Sequence, residues 1–246
     1  KKKIHIFKDK PLSHNSKNVK KLEKIVIKNK IVFMVGYQMR FLKSLNFIKN
    51  QIEKGKLGNL CGANIYNGEF LPDYHKYEDY KKTTMAQKKL GGGVINSQIH
   101  ELDYCIYLFG NPKKVYAFGG KLSNLNIDVE DYVNSLINFE KDNISVNLTL
   151  DFFQRPPIRN MLITGTKKTL FWDYYKNEVV INDYLLNKNV KKNFGRFIRN
   201  EMFENQIKYF FNLIKLKKTK NISDLKNSIE SLNLALKIKT NFSKLN

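Results

Sequence analysis

Arginine is scarce in this chain, although positive charge is not. Of the 44 Lys and Arg residues only five are arginine (Arg40, Arg155, Arg159, Arg196 and Arg199), set against 22 Asp and Glu. Nucleic-acid readers use arginine at base edges and gather their cations on one stripe. Here lysines are spread along the whole sequence among many Asn, Ile, Phe and Tyr residues, as in an AT-rich coding background. The net charge of +22 is read as solvated faces, with a field that can draw an acidic or phosphorylated substrate, and no nucleic-acid partner is expected.

Cysteine is almost absent. Cys61 and Cys105 have no close partner in sequence, which excludes a disulfide framework or a Cys-based zinc site. Each sits among apolar residues and is expected to be a small buried hydrophobe. No apolar run approaches a membrane span and the first residues lack a signal core, so the expectation is a cytoplasmic protein without a membrane partner. A G-x-G-x-x-G phosphate loop is also missing: Gly91-Gly92-Gly93 has Asn96 where the last glycine would stand.

What is present reads as two kinds of structure. Lys3–Phe7 is a short strand that ends at Asp9-Lys10-Pro11, with Ser13 able to cap a helix in which Val19, Leu22, Ile25 and Val26 share a buried face. Ile31–Val35 is a continuous apolar run of the kind buried on both faces of a parallel sheet. Leu45, Ile48 and Ile52 mark a second helix, closed by Gly55. From about Leu60 the pattern changes to period two, clearest at Ile144, Val146, Leu148, Leu150 and Phe152, with similar segments near 113–120, 131–140, 159–165, 168–175 and 178–184. A helix from about Ser97 to Phe109 and two near 200–216 and 224–240 complete the chain. The fold class is α/β plus α+β. Residues 1–37 form the C-terminal remnant of a Rossmann-like dinucleotide-binding domain. Residues 38–246 form a second domain with a mostly antiparallel open sheet and helices on one face.

Two residues about ninety apart carry the chemical signal. Lys10 follows a strand, at the end where open α/β sheets bind ligands. A lysine there can donate to a substrate hydroxyl that loses its proton as hydride leaves the same carbon. His100 lies in the first turn of an amphipathic helix, and an imidazole exchanges protons with alcohols near neutrality. A surface lysine, and a histidine bonded to Asp103, are the plain alternatives. Asn96 lies four residues before His100, behind glycines that allow close backbone approach. Arg40, Arg155 and Arg159 have the two-pronged geometry for carboxylate or phosphate. Tyr77 and Tyr80 lie in an aromatic loop suited to a sugar ring, with a solvent-exposed loop as the equal alternative. A zinc-protease helix is excluded because Tyr104 occupies the second histidine position. Asp128, Glu130 and Asp131 read as an acidic turn in preference to a glycosidase pair. No metal is expected.

Together these pieces resemble the glucose-fructose oxidoreductase / inositol dehydrogenase / MocA-like family of NAD(P)-dependent sugar oxidoreductases. Asp9-Lys10-Pro11 resembles the family's Glu-Lys-Pro, and Val35–Phe41 resembles the link into the second domain. Gly92 to His100 resembles the Asp-x-x-x-His element, with Asn96 in the place of Asp. Leu71–Tyr80 and Gln154–Arg159 resemble a branch from bacterial surface-polysaccharide and nonulosonic-sugar pathways. The resemblance implies hydride transfer between NAD or NADP and a sugar or sugar nucleotide. Lys10 would polarise the reacting oxygen and His100 would act as general acid/base. Asn96, Arg40, Tyr77, Tyr80, Arg155 and Arg159 would bind substrate, and Asp9, Lys10 and Pro11 would border the cofactor. It implies that residues 38–246 are a substrate-binding and oligomerisation domain, with a homo-oligomer formed through the sheet face. The missing dinucleotide loop gives the expectation of a C-terminal fragment of a longer enzyme that binds the cofactor poorly by itself. A non-catalytic remnant or interaction protein that keeps the sheet domain, and a basic nucleic-acid-binding module, stand as the alternatives.

Overall fold

A computed structural model describes residues 4–221 and 223–244. Strand β1 (Ile6–Lys8) pairs in parallel with β2 (Phe33–Val35), and helix α1 (Val19–Lys28) joins them. Lys3, at the start of the expected first strand, lies outside the described residues. The far edge of β2 is already occupied. Val35 N–H donates to the Ser223 carbonyl, Ser223 Oγ donates back to the Val35 carbonyl, and the Asn221 amide donates to the Phe33 carbonyl.

Two local expectations fail in this region. The residue before α1 is Asn18, in a left-handed conformation, while Ser13 Oγ accepts from Asn15 N–H in a turn of its own. Ile25 is 45% exposed, because α1 packs mainly through Val19 and Val26. Helical spacing identified the apolar stripe but not how much of it the neighbouring elements cover.

Helix α2 (Lys43–Glu53) buries Leu45, Ile48 and Ile52. Gly55 (φ +61°) ends it: Gly55 N–H bonds the Ile52 carbonyl and Lys56 N–H bonds the Gln51 carbonyl, a Schellman closure that a side chain at Gly55 would strain. The chain then enters β3 (Leu60–Gly68). After a run of short 3-10 turns come α3 (Val94–Ser97) and α4 (Ile99–Phe109), then β4 (Pro112–Gly120), β5 (Tyr132–Phe139), β6 (Ser145–Asp151), β7 (Ile158–Gly165), β8 (Lys168–Asp173), β9 (Glu178–Asp183) and β10 (Lys188–Asn193). Helices α5 (Arg199–Lys215) and α6 (Leu225–Thr240) and a short β11 (Phe242–Lys244) complete the described residues.

Strands β3 to β11 form one nine-stranded sheet in the order β10-β9-β8-β7-β3-β6-β5-β4-β11. Only β3 with β6 and β4 with β11 run parallel; the other pairs are antiparallel. Alternation gives the sheet two unlike faces. Ala63, Ile65, Val133, Ile137, Val146, Leu148, Leu150, Met161, Ile163, Leu170 and Trp172 point into the core shared with the helices. Tyr116, Phe118 and Leu136 lie on the opposite face at 60%, 53% and 50% exposure. Cys61 is also exposed, against the expectation of burial, whereas Cys105 is buried in α4. Trp172, the single tryptophan, donates its indole N–H to Ser44 Oγ at 3.1 Å.

Candidate active site

The site lies at one end of the large sheet, and strand alternation explains who reaches it. The inward row of β3 runs Ala63, Ile65, Asn67 and, one step past the strand, Glu69. On its neighbour β7 the inward row starts with Arg159, the second residue of the strand and directly opposite Asn67, followed by Met161 and Ile163. The inward row of β8, Leu170 and Trp172, continues to Tyr174, whose backbone N–H bonds the Arg159 carbonyl. Three inward rows thus run out of apolar residues at the same end and finish in Glu69, Arg159 and Tyr174. The first turn of α4 roofs them with Gln98, His100 and Glu101.

Glu101 and Arg159 form a buried ion pair, with Arg159 Nη2 2.5 Å and Nε 2.7 Å from Glu101 Oε1. The Arg159 guanidinium also lies 4.8 Å from the centre of the Tyr174 ring. Burial opposes the charge of Arg159, but Glu101 more than offsets this and raises its pKa. Gln98 donates its amide to the Tyr74 hydroxyl and to the Asp151 carbonyl, each at 2.9 Å, which ties α4 to the end of β6.

Lys10 enters from the other side. It follows β1, and its ammonium donates to the Ser97 carbonyl at 2.8 Å, three residues before His100. Burial lowers its pKa; Asp9 and Glu101 oppose the shift, while Arg159 and Arg199 add to it. His100 is 6% exposed and neither ring nitrogen has a hydrogen-bond partner among the described residues. Burial holds its pKa well below the ordinary histidine value, and the charges of Lys10, Arg159 and Arg199 push it the same way. His100 is therefore a neutral imidazole at neutral pH. Buried polar atoms are seldom left unpaired. Here Gln98 Oε1, both His100 nitrogens, Glu101 Oε2 and the Tyr104 hydroxyl are all unpaired along one short stretch of helix. Such a concentration fits a polar ligand against the first turn of α4.

Several sequence expectations meet a different setting. Asp103 is not the partner of His100. It accepts two 2.8 Å bonds from Arg40 and one of 2.9 Å from Ser231, all buried. Arg40 is 3% exposed, so its guanidinium welds the start of the sheet domain to α4 and α6 and does not face the cleft. Arg155 is bound to Asp73 at 3.2 Å and lies over the Phe70 ring, on the exposed rim. Tyr77 is 84% exposed and stacks on His75; the Tyr80 hydroxyl accepts from Asn126 N–H and so pins a loop. The glycines before α3 do allow close approach, but to protein groups: a Cβ on Gly92 would lie 2.5 Å from the Met85 and Thr84 carbonyl oxygens, and Gly93 (φ +100°) abuts the Glu130 carboxylate. Asn96 is buried and donates to the Gly91 carbonyl at 2.7 Å, which holds that loop over α3.

Three residues of the cleft escaped the sequence reading: Glu69, Tyr175 and Arg199. Glu69 sits one step beyond a recognisable strand, and its signal was the continuation of a period-two row past its last apolar member; Tyr175 falls on the other row of β8, with Phe171 and Asp173, and left no such signal. Arg199, at the start of α5, acts electrostatically on Lys10, His100, Glu69 and Tyr174, although it is nearly two hundred residues from Lys10 in sequence. Among the described residues no group of His, Cys, Asp and Glu could hold a metal, and no helix is long and apolar enough to cross a membrane.

The fit to a nicotinamide cofactor is local. Asp9, Lys10 and Pro11 lie at the carboxyl end of β1, and Gly36, just after β2, brings its backbone close to Phe7 and Asp9. That is the edge where parallel α/β sheets receive dinucleotides.

A parallel α/β strand pair leading into a large, mostly antiparallel sheet with one helix-covered face defines a class of two-part α/β proteins. The chain belongs to the GFO/IDH/MocA family, whose C-terminal-domain model matches residues 46–171. It is 25% identical over 128 residues to 2,7-anhydro-N-acetylneuraminate hydratase of Escherichia coli, a match covering 50% of this chain and 32% of that protein. It is 29% identical over 123 residues to the uncharacterized oxidoreductase YrbE of Bacillus subtilis, covering 50% and 33%. The matched stretch thus spans about a third of the length of these curated relatives. Levoglucosan dehydrogenase in complex with NADH and levoglucosan has the same fold, with a TM-score of 0.84 at 17% identity over 96% of this chain and 71% of that one. UDP-N-acetylglucosamine 3-dehydrogenase GnnA from Acidithiobacillus ferrooxidans superposes with a TM-score of 0.76 at 16% identity, over 97% and 70%.

Proposed function

We propose that this chain is the larger part of an NAD(P)-dependent oxidoreductase acting on a sugar or sugar nucleotide, in cytoplasmic bacterial surface-polysaccharide or nonulosonic-type sugar metabolism. Residues 1–37 are the tail of its nucleotide-binding domain and residues 38–246 its substrate-binding and oligomerisation domain. The observation that carries this reading is the convergence of Lys10 and His100. A part-buried ammonium and an unpartnered neutral imidazole meet at the first turn of α4, although they come from opposite ends of the first hundred residues.

In this reading Lys10, anchored on the Ser97 carbonyl, points a positive charge at the substrate oxygen. That charge favours the alkoxide character which develops as the carbon is oxidised. His100 takes the hydroxyl proton on an unpartnered ring nitrogen, and its low basicity in the resting state means that it is ready without prior deprotonation. Bound NAD(P) would supply the hydride acceptor, at the edge formed by Asp9, Lys10 and Pro11. Asn96 shapes the loop ahead of His100, and Arg159 turns the part of its guanidinium not used by Glu101 to the substrate. The unpaired sheet face with Tyr116, Phe118 and Leu136 joins two copies of the chain.

The test is turnover of a sugar panel with NAD+ and NADP+ by the complete protein. Lys10→Met and His100→Gln are each expected to lower kcat by about 10²- to 10⁴-fold, with cofactor affinity by calorimetry essentially unchanged. Full turnover by both variants would overturn the assignment.

A further inference from the structure

The charges in the cleft do not all cancel. Arg40 is taken by Asp103, Arg155 by Asp73 and Arg159 by Glu101. Of the arginines singled out from the sequence as grips for an anionic group, none is left without a carboxylate of its own. A carboxylate is left over. Glu69 continues the inward row of β3 past Asn67, so it faces the same space as Arg159 and the first turn of α4. Its backbone N–H is fixed on the Asp151 carbonyl at 3.2 Å, which sets the direction of its Cα–Cβ bond. Its half-buried side chain has no hydrogen bond and no ion pair to any described residue.

We propose that Glu69 is a specificity-determining residue that accepts hydrogen bonds from hydroxyls on the uncharged side of the substrate ring, away from the reacting carbon. The inference rests on the sugar-oxidoreductase reading and goes further, because it says which chemical face of the sugar meets this wall. A lone carboxylate is an acceptor with two oxygens spaced to take two neighbouring hydroxyl protons. It repels a substrate carboxylate or phosphate at close range. Arg199 lies within electrostatic reach of Glu69 but makes no ion pair with it. The Tyr174 and Tyr175 rings stand edge to face at 5.2 Å, within electrostatic reach of Glu69. Burial raises the Glu69 pKa, with Arg159 and Arg199 opposing this, as fits a carboxylate held ready without a protein partner.

The test compares the complete protein with Glu69→Gln and Glu69→Asp. Glutamine keeps size and shape but gives up the charge and half of the acceptor capacity. The probes are neutral sugars paired with their acids: D-glucose with D-glucuronate, D-galactose with D-galacturonate, and myo-inositol. The wild type is expected to prefer the neutral member of each pair. Glu69→Gln is expected to lower kcat/KM for it by about 10- to 100-fold, chiefly through KM, and to shift the neutral-to-acid ratio toward the acid. Unchanged kcat/KM and an unchanged ratio in Glu69→Gln overturn the proposal. If no probe is oxidised by the wild type, that result counts against the oxidoreductase reading. Calorimetric binding of the same pairs then decides the present one. A neutral sugar bound better than its acid, and weakened by Glu69→Gln, sustains it. Equal binding of both, or no neutral sugar bound, overturns it.

Discussion

Lys10 spans 87 positions of sequence to place its ammonium 2.8 Å from the carbonyl oxygen of Ser97. That single bond joins the end of the parallel strand pair to the turn that leads into α4, and it brings a cation beside a buried imidazole.

The first prediction follows from that pairing. Both groups have pKa values below their ordinary positions, chiefly through burial, and each cationic neighbour pushes the same way. A base that is already neutral and an acid that must stay charged give a kcat/KM plateau across neutrality. Its acid limb should fall well below pH 6.5 and its alkaline limb below 10.5. Lys10→Met should move the acid limb up toward 6.5, because one of the charges that depress His100 is gone. A wild-type acid limb at or above 6.5 contradicts this. The same shift acts on stability: between pH 6.5 and the lowered folded value the unfolded chain takes up a proton that the folded chain refuses. Stability is therefore lost as pH falls through that window, and His100→Gln should flatten the loss in urea titrations.

The second prediction concerns Arg40. Its pair with Asp103 is sealed from solvent, and Ser231 completes the network. Removing one member strands the other charge, so Arg40→Ala should lose about 3–5 kcal/mol in equilibrium unfolding. The double change Arg40→Leu with Asp103→Leu should recover most of it. A variant that unfolds normally but binds substrate poorly would restore the ligand-gripping role expected from the sequence.

The third concerns association. Tyr116 and Leu136 are direct cross-strand neighbours on the open face, and Phe118 is two residues along from Tyr116. A clustered apolar surface of this kind marks a protein contact. The wild type is expected to sediment as a dimer or larger assembly, and Tyr116→Lys with Leu136→Lys to sediment as a monomer. A monomeric wild type at tens of micromolar refutes it.

Much of the fold was legible in the sequence, because most segments obey one period throughout. The row Val146, Leu148, Leu150 gives β6 at once, and Leu45, Ile48, Ile52 give α2. Strands β10 and β11 were not legible. Every residue of β10 is exposed, so no alternation exists to read, and β11 has three residues. For the site, Lys10 and His100 stood out through the family resemblance of the motifs that carry them, since each alone reads as readily as an ordinary surface lysine or helix histidine. The fates of Arg40, Arg155 and Tyr80 depended on which carboxylate or backbone group the fold delivered from 63, 82 and 46 positions away. Partners at that separation leave no trace in local spacing. Glu69 was missed because a lone glutamate after a strand looks like solvated surface until its neighbours are known.

Trp172 gives the molecule a built-in optical probe. As the chain's single indole, its emission comes from one position, with Tyr174 6.0 Å away on the side toward Arg159 and Tyr104 6.0 Å away on the side toward α4. Occupancy of the cleft can then be followed as a change in intrinsic fluorescence, with no label attached and no reaction required.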